Sequence, residues 1–244
     1  MPEKLQLVDA DTLLSTPMEK TLFVVDGLIP QGVSMLCGSG KIGKSWLMLW
    51  LGIRVAQGLP LWELSTHQSD VFYLCLEDTR VRIKDRLYQL VDKAPLGLRF
   101  ATMCGKLGCG LEEQIIDALN DYPKTKLIII DTLQKVRDSR NGAGKSGMYA
   151  NDYDDISAIK QIADKFKIAI VLVHHLRKLK DSADPFNEVS GSTGITGAAD
   201  TNFILKRRRG EETATLLVNG RDVEYQQFPL RFKNQVWQMV EHKD

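Results

Sequence analysis

Hydrophobic and polar positions follow two recurring patterns along the first 173 residues. Short uninterrupted apolar runs, typical of strands buried on both faces of a parallel sheet, occupy 33–37, 71–76, 126–130 and 168–173. Segments with apolar residues at helical spacing separate them, at 44–57, 80–92, 112–122 and 153–166. Because strands and helices alternate, the pattern predicts a mostly parallel central sheet flanked by helices.

The pattern changes after residue 200. Short strand-like segments follow one another at 201–206, 212–219, 229–233 and 236–240, and they predict antiparallel β structure. Further candidate strands lie at 21–25 and 99–103. The predicted fold is therefore α/β, with C-terminal antiparallel β-hairpins extending the parallel sheet. A chain of 244 residues suffices for one large domain, which we place at 21–244.

Three polar stretches lie outside this regular pattern. Residues 1–20 are expected to form an N-terminal arm, whose Leu13 and Leu14 either cap the core or dock on a neighbouring subunit. Residues 138–152 and 178–192 lack periodicity, so both are predicted to be loops. Loops of this length in a compact domain are usually functional or mobile.

The first buried run leads into a glycine-rich turn. Residues 38–45, GSGKIGKS, match the phosphate-binding loop pattern G-x-x-x-x-G-K-[ST], with a strand before it and a helix after it. Glycines let backbone N–H groups surround phosphate oxygens, and the helix N-terminus adds partial positive charge. Lys44 is expected to reach the β- and γ-phosphates and Ser45 to bind Mg²⁺. The residues expected to contact the nucleotide are Gly38, Ser39, Gly40, Lys41, Ile42, Gly43, Lys44, Ser45 and Trp46.

A second GKS sequence ends at Ser146. It lacks the first glycine of the pattern, since position 139 is a serine, and no strand precedes it. We therefore exclude it as a phosphate-binding loop.

Polar residues also follow the other buried strands. Asp131 ends the run LIIID and has the form of an acid that holds Mg²⁺ through its water shell. Glu77 follows VFYLCL and is a candidate for orienting and deprotonating the attacking water, while Asp78 is expected to cap the next helix. His174 and His175 end the last parallel strand and must point to opposite faces, so one of them should face the nucleotide. The pattern does not choose between them.

Composition narrows the function classes. The net charge is +1 with 26% charged residues, so a nucleic-acid site would have to be a local patch or one built by assembly. The four cysteines lack paired metal-ligand spacing and are interpreted as reduced thiols. No apolar run approaches the roughly 20 residues that span a bilayer, and the N-terminus does not resemble a signal peptide. We expect a cytoplasmic protein with no membrane partner.

Two basic features remain open to more than one interpretation. The run from Lys206 to Arg209 is typical of a solvated hairpin tip. Arg221, in LLVNGRD, either pairs with Asp222 or Glu224 or projects into the active site of the next subunit as an arginine finger.

Taken together, the motifs resemble those of RecA-like P-loop ATPases. GSGKIGKS, LED, LIIIDT, VLVHHLRK, VSGSTGITGAAD and LLVNGRD occur in this order, and the resemblance covers 22–240. The chain is most similar to an AAA-labelled group that resembles RepA-type hexameric replicative helicases and the DnaB motor domain. The resemblance implies a RecA-like fold that uses ATP and Mg²⁺.

The resemblance also implies a role for each site residue. It makes Lys44 and Ser45 the triphosphate and Mg²⁺ ligands, Glu77 the catalytic base, Asp131 the acid that holds Mg²⁺ through its water shell and His175 the γ-phosphate sensor. The residue reaching the neighbouring nucleotide would be Arg221, with Arg207 as second choice. The two long loops would present DNA contacts, namely Arg140, Lys145, Lys178 and Lys180, with Tyr149 or Phe186 stacking on bases.

The expected function follows from this resemblance. We expect a Mg²⁺-dependent ATPase motor that assembles into a ring, as a hexamer with nucleotide between subunits, and translocates on single-stranded DNA during replication of a plasmid, phage or other mobile element. One alternative is a recombination or repair ATPase that forms filaments. The other is a slow, nucleotide-gated regulatory or scaffold protein.

Overall fold

The computed structural model of the chain describes residues 5, 7–18, 20–137, 145–176, 184–190 and 193–240, with 145–151 and 193 described as backbone only. The strands are Phe23–Val25 (β1), Ile29–Pro30 (β2), Gly32–Gly38 (β3), Asp70–Cys75 (β4), Leu98–Ala101 (β5), Thr125–Asp131 (β6), Ala169–His175 (β7), Thr201–Arg207 (β8), Thr213–Gly220 (β9), Gln226–Lys233 (β10) and Val236–Met239 (β11). The helices are Ala10–Ser15 (α1), Lys44–Gln57 (α2), Arg80–Leu90 (α3), Leu111–Asp121 (α4), Leu133–Val136 (α5), Lys145–Phe166 (α6) and Thr193–Ala198 (α7). A 3₁₀ turn covers Pro185–Glu188.

Nine of the described strands form one sheet in the order β11-β10-β9-β8-β3-β7-β6-β4-β5. The six strands from β8 to β5 in this order are parallel, and β9, β10 and β11 extend the sheet in antiparallel fashion. The α/β fold with C-terminal antiparallel strands is therefore confirmed. It is the RecA-like P-loop fold, with β3 and its loop near the middle of the sheet.

One strand differs from its predicted direction. β8 was predicted to be antiparallel, but it pairs parallel with β3 and antiparallel only with β9. The connection from β7 to β8 is long enough to bring the chain back to the amino edge of the sheet, as a parallel crossover requires. The sequence pattern of β8 alone carries no information about this direction.

Two apolar layers cover the sheet. On one face, the side chains of α2, such as Leu47, Leu51 and Val55, pack against the sheet, and they belong to a cluster that also holds Trp237. On the other face, α4 and α6 supply a second buried cluster that includes Ile159. The central strands β6 and β7 are buried from end to end apart from partly exposed positions near their ends. This packing fixes the carboxyl ends of the parallel strands at one edge of the sheet.

Helix α6 begins earlier than the pattern indicated. The predicted loop at 138–152 is wrong from Lys145 onward, because α6 starts there, whereas 138–144 lies outside the described residues. In the first two turns of α6, KSGMYAN, the apolar residues are consecutive rather than at helical spacing, so the pattern shows no helical periodicity. Arg137 forms ion pairs with Asp152 and Asp155, which follow these turns in α6. The short helix α5 was missed because four residues are too few for a periodic signal.

The N-terminal segment carries a short exposed helix. Asp9 caps α1 by accepting a hydrogen bond from the backbone N–H of Thr12 at 2.9 Å. None of the α1 residues is buried, and Leu14 is 88% exposed. Leu13 and Leu14 therefore do not cap the core, and docking on a neighbouring subunit stays a prediction. No helix in the described part of the chain is long and apolar enough to cross a membrane.

Candidate nucleotide-binding site

The phosphate-binding loop leaves β3 at Gly38 and enters α2 at Lys44. Gly43 has φ +100, and a Cβ added there would lie 3.0 Å from the Trp237 ring. A Cβ at Gly38 would lie 2.7 Å from the Ile42 side chain and 3.0 Å from the Leu205 carbonyl oxygen. Both positions therefore need glycine, one for its backbone conformation and both for the close approach of neighbouring atoms.

Lys44 lies inside this loop and is only 6% exposed. Its ammonium donates hydrogen bonds to the carbonyl oxygens of Gly38 and Ser39, each at 2.8 Å. Burial lowers the pKa of Lys44, while the nearby Asp131, Cys37 and Glu77 raise it. A cation in this setting is stabilised by any further negative charge placed beside it.

Asp131 provides that acidic neighbour on β6. Its carboxyl group is 6% exposed and accepts a hydrogen bond from the Tyr73 hydroxyl at 3.0 Å. Burial raises the pKa of Asp131, and hydrogen bonds from the side chains of Ser45 and Tyr73 oppose that shift. The structure thus brings Ser45 and Asp131, the two predicted metal-site residues, close together.

Glu77 lies at the same edge, just beyond β4. The Thr132 hydroxyl donates to Glu77 Oε1 at 3.3 Å, so the residue after Asp131 helps to orient this carboxylate. One cavity of about 460 Å³ connects the loop with these acids. Its lining includes Lys41, Gly43, Lys44, Ser45, Trp46, Glu77, Asp131, Thr132 and His175.

The histidine pair is divided between the two faces of the sheet. His175 lines the cavity, whereas His174 is buried and its Nε2 lies 2.9 Å from the Ser190 carbonyl oxygen. Burial lowers the pKa of His174. The choice that the pattern left open therefore falls on His175 as the histidine facing the site.

Helix α3 adds charged residues to the cavity that sequence reasoning missed. The prediction that Asp78 caps α3 is wrong, because Thr79 is the N-cap and its hydroxyl oxygen accepts a hydrogen bond from the Arg82 N–H at 3.2 Å. The Asp78 carboxylate instead pairs with Arg82 at 2.7 Å and with Arg86 at 2.5 Å. Arg86 also lies over the Trp46 ring, 5.2 Å from its centroid. The spacing of four and eight residues from Asp78 was the available signal, since it places both arginines on one helix face.

Residues of the C-terminal strands contact the phosphate-binding loop. Trp237 is fully buried on β11 and its indole N–H donates to the Gly43 carbonyl oxygen at 3.0 Å. The Arg207 guanidinium lies over the Phe232 and Trp237 rings, 4.9 Å and 5.2 Å from their centroids. It also donates to the Ile42 carbonyl oxygen at 3.4 Å. Arg207 therefore contacts its own phosphate-binding loop and does not fit the predicted solvated hairpin tip. Arg208 does fit that prediction.

Arg221 lies at the opposite edge of the sheet. It follows β9, whose last residue pairs with Thr201 at the start of β8. Its backbone N–H donates to the Asp200 carbonyl oxygen at 2.8 Å, and its guanidinium lies 3.5 Å from the Asp200 carboxylate. The partner is thus Asp200 rather than the predicted Asp222 or Glu224. The Arg221 side chain is 62% exposed and is remote from the loop of its own chain.

The predicted DNA contacts are described only in part. Arg140, Lys178 and Lys180 lie outside the described residues, and for Lys145 and Tyr149 only the backbone of α6 is described. Phe186 is partly buried and packs against the apolar cluster beneath α6, which leaves it less available for stacking on a base. All four cysteines are free.

The loop, the acidic residues and the sheet topology define a P-loop ATPase domain with the RecA-like fold. A family model described as "AAA domain" (AAA_25) matches residues 1–181, most of the 244-residue chain. The chain therefore belongs to this AAA domain family, and the resemblance seen in the motifs is confirmed.

Known structures and sequences complete the comparison. The chain is similar in structure to the "ATPase Domain of G40P", with a TM-score of 0.70 and 12% sequence identity over 86% of this chain and 85% of that one. At this identity the likeness supports the fold alone. No curated protein matches the sequence.

Proposed function

We propose that the protein binds ATP with Mg²⁺ and hydrolyses it at the 460 Å³ cavity beside the phosphate-binding loop. The observation that carries this proposal is the convergence of Lys44, Asp131 and Glu77 on that one cavity. The backbone N–H groups of the loop and the start of α2 favour a polyphosphate anion. The charge of that anion offsets the burial that lowers the pKa of Lys44.

The residues at the cavity fit a hard divalent cation. Mg²⁺ prefers oxygen ligands and is usually held by one or two carboxylates together with substrate phosphates. Ser45 and Asp131 supply a hydroxyl and a carboxylate that line the same cavity. No group of three or more His, Cys, Asp or Glu side chains among the described residues is arranged to hold a metal alone, in keeping with a site that phosphate oxygens complete. When bound, Mg²⁺ neutralises charge on the phosphate oxygens.

Glu77 is the proposed base for the attacking water. The water oxygen forms a bond to the γ-phosphorus, the bond from that phosphorus to the β,γ-bridging oxygen breaks, and the water proton passes to the Glu77 carboxylate. Thr132 holds Glu77 by its hydrogen bond, and Lys44 neutralises charge on the leaving group. His175 lines the same cavity and is the proposed sensor of the γ-phosphate.

The proposed sensor is connected to one of the predicted DNA loops. β7 ends at His175, Leu176 forms a β-bridge with Val189, and the Ser190 N–H donates to the His175 carbonyl oxygen at 3.0 Å. The chain between Leu176 and Val189 is therefore anchored at both ends next to the proposed sensor. This arrangement supports a motor in which the nucleotide state reaches single-stranded DNA through that segment.

Assembly is the second part of the proposal. Arg221 is remote from its own nucleotide site and exposed, which supports a role at the site of a neighbouring copy. Arg207 is the weaker candidate, because it is stacked on rings of its own chain. The exposed α1 offers an apolar surface for contact between copies. We propose a closed ring, as a hexamer, that acts in replication of a plasmid, phage or other mobile element.

One experiment separates the candidate functions. The ATP hydrolysis rate is measured with and without single-stranded DNA, alongside oligomer mass and electron microscopy with nucleotide present. Stimulated hydrolysis by closed rings is the expected result. Open filaments would favour a recombination or repair ATPase, and slow hydrolysis that DNA leaves unchanged would favour a regulatory or scaffold protein.

A further inference from the structure

Tyr73 is a buried residue of the sheet that reaches the first turn of α2. It lies on β4, is 2% exposed, and its ring packs against Phe100 with a centroid distance of 5.9 Å. The run VFYLCL around it is apolar and forms the core of the strand. A phenylalanine would fill the same place, so packing alone does not account for the hydroxyl group.

The Tyr73 hydroxyl faces the acidic part of the nucleotide site. It donates to Asp131 Oδ2 at 3.0 Å and has a second acceptor, the Ser45 carbonyl oxygen, at 3.3 Å. Ser45 and Asp131 are the two residues that we propose to hold the cation. A single phenol therefore bridges β6 and the start of α2 at the point where the two meet.

The geometry assigns a specific task to this bridge. A carboxylate can rotate about its terminal torsion, since that torsion is broad rather than fixed in one rotamer. The Tyr73 ring is held by the large buried cluster around it, against which Phe100 is only one packing neighbour, so its hydroxyl occupies one Asp131 oxygen and fixes the plane of the carboxylate. The other Asp131 oxygen is then also held in one orientation.

We infer that Tyr73 is a positioning residue for the divalent-cation site, acting through Asp131. This inference rests on the proposed function, because it assumes a cation between Ser45 and Asp131. Hydrogen-bond partners behind a metal-ligating group commonly contribute 10–100-fold to metal affinity. Removing the hydroxyl should therefore weaken the cation and leave metal-free nucleotide binding intact.

The test is Tyr73→Phe, measured by binding rather than turnover. Binding of a fluorescent ATP analogue is titrated in EDTA and then at increasing Mg²⁺. We expect an unchanged affinity in EDTA and a rise of about tenfold or more in the Mg²⁺ concentration that gives half of the metal-dependent increase. Tyr88→Phe is the matched control, since Tyr88 is 72% exposed on α3, and it should behave as the wild type.

A second control separates the hydroxyl from packing. Phe100→Leu alters the ring that packs on Tyr73 without touching the hydroxyl, so it should lower the melting temperature but leave the Mg²⁺ dependence unchanged. If Phe100→Leu shifts the Mg²⁺ dependence as much as Tyr73→Phe does, packing is responsible and the inference is overturned. Para-aminophenylalanine at position 73 keeps a hydrogen-bond donor at the place of the hydroxyl. A protein with this residue should show the Mg²⁺ dependence of the wild type, which tests the inference even where Tyr73→Phe does not fold.

The outcomes also separate this inference from the proposed function. A wild-type protein whose nucleotide binding does not respond to Mg²⁺ would overturn both. A wild-type response that Tyr73→Phe reproduces without a shift would overturn the role of Tyr73 alone. Failure of para-aminophenylalanine to restore the response in a folded protein would count against it as well.

Discussion

Replacing Trp237 by phenylalanine should loosen the phosphate-binding loop from a position outside it. The indole N–H donates to the Gly43 carbonyl oxygen at 3.0 Å, and the ring lies against the position where a Gly43 side chain would be. Phenylalanine keeps an aromatic ring at this buried site but removes the donor and part of the volume. The change therefore tests whether β11 holds the loop in its binding conformation.

The expected magnitude follows from these two losses. The Gly43 carbonyl oxygen keeps a second partner, the Leu47 N–H at 3.1 Å, so the lost hydrogen bond should cost about 1 kcal/mol. The smaller ring leaves a cavity that should cost about another 1 kcal/mol. A total of about 2 kcal/mol corresponds to a fall of roughly 4–8 °C in melting temperature for a chain of this size. If the hydrogen bond serves loop order, nucleotide affinity should weaken by up to about tenfold.

The assay combines thermal melting with titration of a fluorescent ATP analogue in EDTA. Trp50→Phe is the matched control, because Trp50 is a partly buried tryptophan on α2 that contacts Arg54. This control should leave nucleotide affinity unchanged. A Trp237→Phe protein with a lower melting temperature but wild-type affinity would show that Trp237 stabilises the core without ordering the loop, and would refute the reasoning.

Three further changes probe separate parts of the molecule. Thr132→Val removes the hydroxyl that donates to Glu77, so kcat should fall about threefold to tenfold with KM unchanged; a change in KM alone would contradict this role. The pKa of His174 in the folded state lies below its unfolded value of about 6.5, so the unfolded state binds the proton first as pH falls. The free energy of unfolding should therefore decrease as pH drops below about 6.5. His174→Asn should flatten this pH dependence in urea titrations, and a pH dependence equal to that of the wild type would refute the prediction. Asp200→Asn weakens the ion pair with Lys160 and the hydrogen bond from the Val33 N–H, and should lower the free energy of unfolding by about 1–3 kcal/mol. Nucleotide binding in EDTA should stay at the wild-type level, because Asp200 lies at the edge of the sheet opposite the phosphate-binding loop. Weaker nucleotide binding would contradict this.

Much of the fold could be predicted because its signals are local. The uninterrupted apolar runs identify β3, β4, β6 and β7, and α2 ends as predicted, with Gly58 in the left-handed conformation. The phosphate-binding loop was found from its spacing, because backbone geometry there requires glycine at fixed positions. Glu77 and Asp131 followed from the rule that parallel strands end at one edge of the sheet.

The remaining features depend on contacts between distant parts of the chain. Trp237 meets Gly43 across 194 positions, and Tyr73 meets Asp131 across 58, so neither pair leaves a periodic signal. The side of the strand on which His174 and His175 lie depends on register, which a run of apolar residues buried on both faces does not specify. Arg137 likewise holds Asp152 and Asp155 of α6 by ion pairs across 15 and 18 positions of the chain, which a local pattern does not reveal.

The central claim is that residues 38–45 hold a polyphosphate with Lys44 inside the loop. The most direct test is equilibrium binding of ATP by the wild type and by Lys44→Ala, with circular dichroism to establish that both are folded. We expect saturable binding by the wild type, strengthened by Mg²⁺, and a loss of at least about a hundredfold in the variant, as for a desolvated charged contact. Equal binding of ATP by the two folded proteins, or no binding by the wild type, would contradict the account.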